Sequence, residues 1–156
     1  MLTSRSFYDL DVSAKKDHPS IPPDVKELAE FRFLLRRFLA FSEQAAESNG
    51  LPAQQHQLLL QVAGAPEGTD VTPTYLATRL ALRRHSVVEL CNRCESAGLL
   101  RRIASEEDLR SVSLHLTSQG EEILTKLSQA HAAELRERVP DLVDSLRRLL
   151  AMEGDR

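Results

Sequence analysis

The sequence is short of several residue types. Tryptophan is absent, aromatic residues make up 4% of the 156 positions, and there are two cysteines. Two cysteines do not staple a small secreted domain, and a reducing compartment keeps both as thiols. No apolar run approaches the ~20 residues that span a bilayer. The opening "MLTSRSFYDLDVSAKKDHPS" is too polar and charged for a secretory leader. The expectation is a cytoplasmic protein with no membrane partner. No glycine-rich phosphate loop, paired-carboxylate signature, or Ser/His/Asp or Cys/His set stands in a supporting motif, which argues against an enzyme. Internal repeats and low-complexity tracts are missing too. What is present is 42% apolar and 28% charged, the balance of a globular domain.

The net charge of −3 looks wrong for a nucleic-acid binder, but distribution matters more than the sum. From Arg79 to Arg102 six arginines stand against Glu89 and Glu95, a local +4 that leaves −7 on the rest of the chain. A basic segment on an acidic body favours one local anionic partner over a general affinity for polyanions.

Residues 1–23 lack sustained periodicity and carry Pro19, Pro22 and Pro23, so they read as an irregular arm. A long helix follows, with Asp24 as its cap and Asn49-Gly50 as its stop. Leu28, Phe31, Leu35 and Phe38 form one stripe, while Leu34 and Phe41 add a second. A helix apolar on more than one side needs burial on more than one side. In so small a chain the second surface points to another copy. "LPAQQHQLLLQVAGAPEG" is a shorter helix ended by Gly64 and Pro66. Thr72 followed by Pro73 is a start signal for a short helix. From Arg84 to Ala97 comes another, with Val87, Leu90, Cys91 and Cys94 at helical spacing as its buried face and Gly98 as its end. The period then changes. In "SVSLHL", Val112, Leu114 and Leu116 alternate with Ser111, Ser113 and His115, a half-buried strand. "LLRRIA" pairs with it as the first arm of a hairpin tipped by "SEEDLR". Thr117 caps a helix running to about residue 138, Pro140 breaks it, and "DLVDSLRRLLAME" forms a last helix.

Two helices joined by a tight turn and followed by a β-hairpin make a helix-turn-helix with a wing. With "YLATRLALRRHSVVELCNRCESAGLL" in the helix-turn-helix and "DLRSVSLHLT" in the wing, the sequence resembles the MarR family of bacterial transcription regulators. The resemblance covers nearly the whole chain beyond the arm. It implies a mainly α protein whose winged helix-turn-helix lobe, residues 51–116, is flanked by helical dimerisation segments at 24–50 and 117–156. It further implies a homodimer bound to a near-palindromic operator on double-stranded DNA, commonly a repressor released by a small aromatic ligand. No cofactor is expected. The sequence departs from the family pattern at Arg83, where a Ser or Thr cap is usual, at Asn92, where Asp is favoured, and at Cys94, where Leu is favoured.

Opposite the buried face of the second helix of the pair lie Arg84, His85, Ser86, Glu89 and Arg93. His85 and Ser86 can hydrogen-bond base edges, Glu89 can accept from a cytosine amino group, and the arginines can meet guanine or phosphate. In the wing the resemblance sends Arg110 into the minor groove, with Asp108 orienting it through a salt bridge. Arg101 and Arg102 sit at the hairpin base, one toward phosphate and the other toward solvent. The competing readings are a solvated charged face, or a winged helix that docks an acidic protein partner. Cys91 and Cys94 have the spacing of a metal half-site, but a structural zinc needs about four ligands, and no second pair exists. They read as core, with a redox role as the alternative. His56 reads as a surface histidine, with a place facing the pocket between the dimerisation helices and the DNA-binding lobe, where the resemblance implies ligands bind, as the alternative; His18 and His131 carry no signal. Phe31, Phe33, Phe38 and Phe41 read as core and dimer packing, with an effector pocket as the alternative.

Overall fold

The computed structural model of the chain describes residues 22–104 and 112–152. Five helices and a two-stranded antiparallel ribbon follow one another: α1 (Pro23–Ser48), α2 (Ala53–Ala63), α3 (Pro73–Leu80), α4 (Arg84–Ser96), β1 (Leu100–Ala104), β2 (Val112–Leu116) and α5 (Ser118–Met152). The arm up to residue 21 and the wing tip, with Asp108, Arg110 and Ser111, lie outside the described residues.

Helix α1 begins on prolines. Pro22 is its N-cap and Pro23 its first helical residue, so Asp24 is a first-turn acid and not the expected cap. A proline loses nothing there, because the first helical N–H groups have no partner in the helix. The Asp24 carboxylate still accepts from the Val25 N–H, at 3.0 Å. The start of α3 is as expected: Thr72 accepts from the Tyr75 N–H through Oγ1 at 3.2 Å, with Pro73 next in line.

The core joins α2, α3, α4, the ribbon and α5. Leu58, Leu59, Leu76, Val87, Leu90, Cys91, Cys94, Leu100, Leu114 and Leu127 are all buried in it. Leu100 pairs with Leu116 and Arg102 with Leu114 across the ribbon. The other edge of β2 is not free, since the Leu114 N–H donates to the Val71 carbonyl at 2.9 Å, just ahead of α3.

The C-terminal part corrects the expected pair of helices. A single helix α5 runs through Pro140. Proline in a helix interior removes one backbone hydrogen bond and crowds the carbonyl four residues back, a cost of about 3 kcal/mol. Residue 140 does not set the outcome alone, because α5 packs along α1. Arg148 also reaches Glu27 across the two helices at 2.8 Å. Burial spread over many turns offsets one local defect. Where α5 begins, Thr117 Oγ1 accepts from the Gly120 N–H at 3.1 Å and donates to the Gly98 carbonyl at 2.6 Å. The Thr117 N–H meets the Leu99 carbonyl at 3.1 Å. Gly120 lies so close beneath that carbonyl that a Cβ there would stand 2.3 Å from its oxygen.

Candidate nucleic-acid interface

Helices α3 and α4 are joined by a turn of three residues. Ala81 takes a left-handed conformation (φ +52°), and the Leu82 N–H returns to the Ala77 carbonyl at 3.1 Å. A non-glycine residue in that region is uncommon. The turn leaves α4 anchored by one face and open on the other. Val87, Leu90, Cys91 and Cys94 are buried, as their spacing requires. Arg84, His85, Glu89 and Arg93 are exposed, and Ser86 is half-buried. The structure therefore places all five sequence-selected residues of this helix on its outer side. Arg83, at the N-cap, makes no side-chain capping bond, the consequence expected from the missing Ser or Thr.

Two of the arginines are already positioned. Arg84 Nε donates to Thr74 Oγ1 at 3.2 Å, so its guanidinium lies back across the first turn of α3. Arg102, on β1, donates to Asn92 Oδ1 at 2.6 Å and forms an ion pair with Glu95. Both acceptors belong to α4, so Arg102 braces the ribbon against the C-terminal half of that helix. Asn92 thus takes part in an intrachain contact. Arg101 is exposed on the neighbouring position of the same strand. Arg79 turns the other way and donates to Gln61 on α2 at 2.8 Å.

The cysteines are thiols sealed in the core. Burial pushes the Cys94 thiol up to about 12, and burial raises Cys91 too, with Arg102 opposing part of that shift. A thiol so hard to ionise is a poor nucleophile and a poor metal ligand. Among the described residues no three His, Cys, Asp or Glu side chains are grouped to hold a metal ion, and no helix is long and apolar enough to cross a membrane.

Two histidines depart from expectation. His56 is not on the surface: it is 1% exposed, and its ring stacks on His131 with centroids 5.1 Å apart. A signal was present, for Leu124, Leu127 and His131 share one helical stripe, and His56 precedes the buried Leu59 by one turn. The polar neighbours in "AQQHQ" masked it.

Residues 49–111 match the family model described as the MarR family. A candidate transcriptional regulatory protein for the hcr operon of Thauera aromatica is 29% identical over 106 residues, 65% of this chain and 62% of that protein. PecS of Dickeya dadantii (strain 3937), named as an HTH-type transcriptional regulator, is 29% identical over 89 residues, 56% of this chain and 52% of PecS. The chain therefore spans between about half and just over three-fifths of these relatives' lengths. Among solved structures, AbsC of Streptomyces coelicolor, a MarR family transcriptional regulator, superposes with a TM-score of 0.66 at 23% identity, covering 86% of this chain and 95% of AbsC. A mutant MarR from E. coli complexed with operator DNA gives 0.61 at 20% identity, covering 82% of this chain and 93% of that one. These structures share the fold: mainly helical, with an antiparallel ribbon after the helix-turn-helix. Over residues 49–111 the chain is similar to the MarR family, and the winged fold that contains them is the one these solved structures share.

Proposed function

We propose that this protein is a homodimeric, sequence-specific DNA-binding transcription regulator, a repressor of a near-palindromic operator that a small aromatic ligand releases. The observation that carries the reading is the outer face of α4. Arg84, His85, Ser86, Glu89 and Arg93 form a polar strip on a helix whose opposite side is locked into the core, the arrangement a major-groove helix needs. Arg101 and Arg102 add positive charge from β1. The role the resemblance gives Arg110 is to enter the minor groove, where narrow A·T-rich segments attract a guanidinium, and the role it gives Asp108 is to orient that arginine.

The dimer reading is supported by uncovered apolar side chains. Val25, Leu28, Phe33 and Leu39 on α1, and Leu135, Leu146 and Leu150 on α5, are each at least 36% exposed. Segments 24–50 and 117–156 form the dimerisation frame and residues 51–116 the reading lobe. A two-fold dimer sets its reading helices about 34–36 Å apart, one turn of duplex. A ligand held between frame and lobe favours another spacing and moves the population off the operator. Such a regulator works in the cytoplasm.

The test is selection from a pool of random duplex DNA. An inverted repeat with half-site centres one helical turn apart is the expected product. Recovery of no motif, with binding that vanishes at moderate salt, replaces this reading with an acidic protein partner.

A further inference from the structure

The His56–His131 stack sits where three helices meet. His56 is on α2, and His131 is on α5. Ser42, on α1, reaches His131 Nε2 through its hydroxyl at 2.7 Å. His131 Nδ1 lies 2.5 Å from the Leu127 carbonyl. A carbonyl only accepts, so that nitrogen carries the proton. The Ser42 hydroxyl donates to Nε2 of the neutral ring and accepts from it when the ring is charged. His131 therefore has partners in both states. His56 does not, because its Nδ1 is buried with no hydrogen-bond partner among the described residues. Phe38 and Phe41 approach His131 edge-on, with centroids 6.3 Å and 5.7 Å away, and help close the site.

We propose that this stack is a proton-operated joint: with His56 uncharged it clamps α2 to α1 and α5, and protonation of His56 against His131 opens it. Two imidazolium rings stacked at 5.1 Å repel one another, the more so because His56 is buried. Burial, and after it the charge of His131, lowers the His56 pKa from 6.5 to about 4. Among the described residues no other group offsets this. On α1, Ser42 and the two phenylalanines do not titrate, and the flanking Glu43 and Glu47 are exposed. On α5, Glu134, one turn beyond His131, is committed to Arg138. On α2, the neighbours of His56 are Gln54, Gln55 and Gln57. Helix α2 shares its core with α3 and α4 through Leu58, Leu59, Leu76 and Val87, so freeing α2 frees the helix-turn-helix to turn against the frame. That last consequence rests on the DNA-binding reading above, whereas the joint itself does not.

The experiment follows the histidine ring protons of the full chain by NMR through acid titration, together with intrinsic-rate-corrected hydrogen exchange of the α2 amides. The parent should protonate His56 only well below pH 6.5, and α2 protection should fall by at least about tenfold in the same window. His56→Phe, which keeps a ring in the site, should hold α2 protection through that window. His131→Gln should move the His56 midpoint upward by about half a unit or more, and it serves alone if His56→Phe does not fold. His56 titrating near 6.5 in the parent, or indifferent to His131→Gln, overturns the joint. So does α2 protection that persists while His56 charges. Affinity for the selected duplex, measured in parallel, should fall about tenfold or more in the parent and not in His56→Phe. An equal fall in both overturns the regulatory consequence. A protein that binds no duplex at any pH fails the DNA reading instead, and the exchange data still decide the joint.

Discussion

Replacing Gly120 by alanine sets two rules against each other. Gly120 lies in the first turn of α5, and Gly→Ala inside a helix ordinarily stabilises by about 0.5–1 kcal/mol. Here the new Cβ would meet the Leu99 carbonyl oxygen at 2.3 Å and its carbon at 3.2 Å. Both are backbone atoms, so no side chain can swing aside. The helix must withdraw by close to an ångström, while Leu99 O is also the acceptor for the Thr117 N–H. Overpacking of this kind costs about 1–3 kcal/mol, and weakening that hydrogen bond adds about 1 kcal/mol. The clash outweighs the propensity gain, leaving Gly120→Ala less stable by about 1–3 kcal/mol. Urea unfolding at neutral pH reads this as a lower midpoint at unchanged slope. Glu122→Ala, exposed on the same helix, should stay within about 0.5 kcal/mol of the parent. If Gly120→Ala proves as stable as the parent or more so, the close approach of α5 to Leu99 is wrong, and with it the account of how α5 meets the ribbon.

Arg110→Ala should weaken binding to the selected operator while leaving the urea midpoint in place; unchanged affinity at physiological salt counts against the wing assignment. Acid should destabilise the fold through His56. The folded chain holds that proton at about 4 against an ordinary 6.5, so the stability it contributes is complete above pH 6.5 and is lost as pH falls toward 4. The loss is about 2 kcal/mol by pH 5, and unfolding curves for parent and His56→Phe should separate by that amount. Cys91 and Cys94 should resist a soluble disulfide reagent until the protein unfolds, so rapid labelling of the native chain refutes their place in the core. Ser145 is buried with no partner for its hydroxyl among the described residues. Ser145→Ala should therefore match the parent or exceed it by up to about 1 kcal/mol in thermal or urea unfolding.

The features legible in the sequence are those that neighbouring residues decide. Thr72-Pro73 specifies a helix start with its own side chain and its own fixed φ. Val87, Leu90, Cys91 and Cys94 define a buried face by spacing alone, which also puts Arg84, His85, Ser86, Glu89 and Arg93 outside. Pro140 was misleading because its local cost is met by a distant partner, α1, that no window around residue 140 contains. Asp24 failed as a cap because two prolines already start the helix two residues earlier. The histidine pair was hidden for a related reason. His56 and His131 are 75 positions apart, and only the packing of α2 against α5 makes each the other's neighbour. Arg102 was legible as a cation but not as a brace, since its two acceptors, Asn92 and Glu95, stand on a different element.

The ribbon has a further consequence. One flank of β2 is occupied by the Val71 carbonyl, whereas β1 has no second strand beside it among the described residues. An unpaired edge of this kind is a template on which another chain can add a strand. Arg101 falls exposed on that strand, whereas the charge of Arg102 is met by Glu95, and positive charge at residue 101 makes two copies repel when they approach edge to edge. Neutralising Arg101 would thus trade away colloidal stability, and a loss of soluble protein on storage would be its first sign.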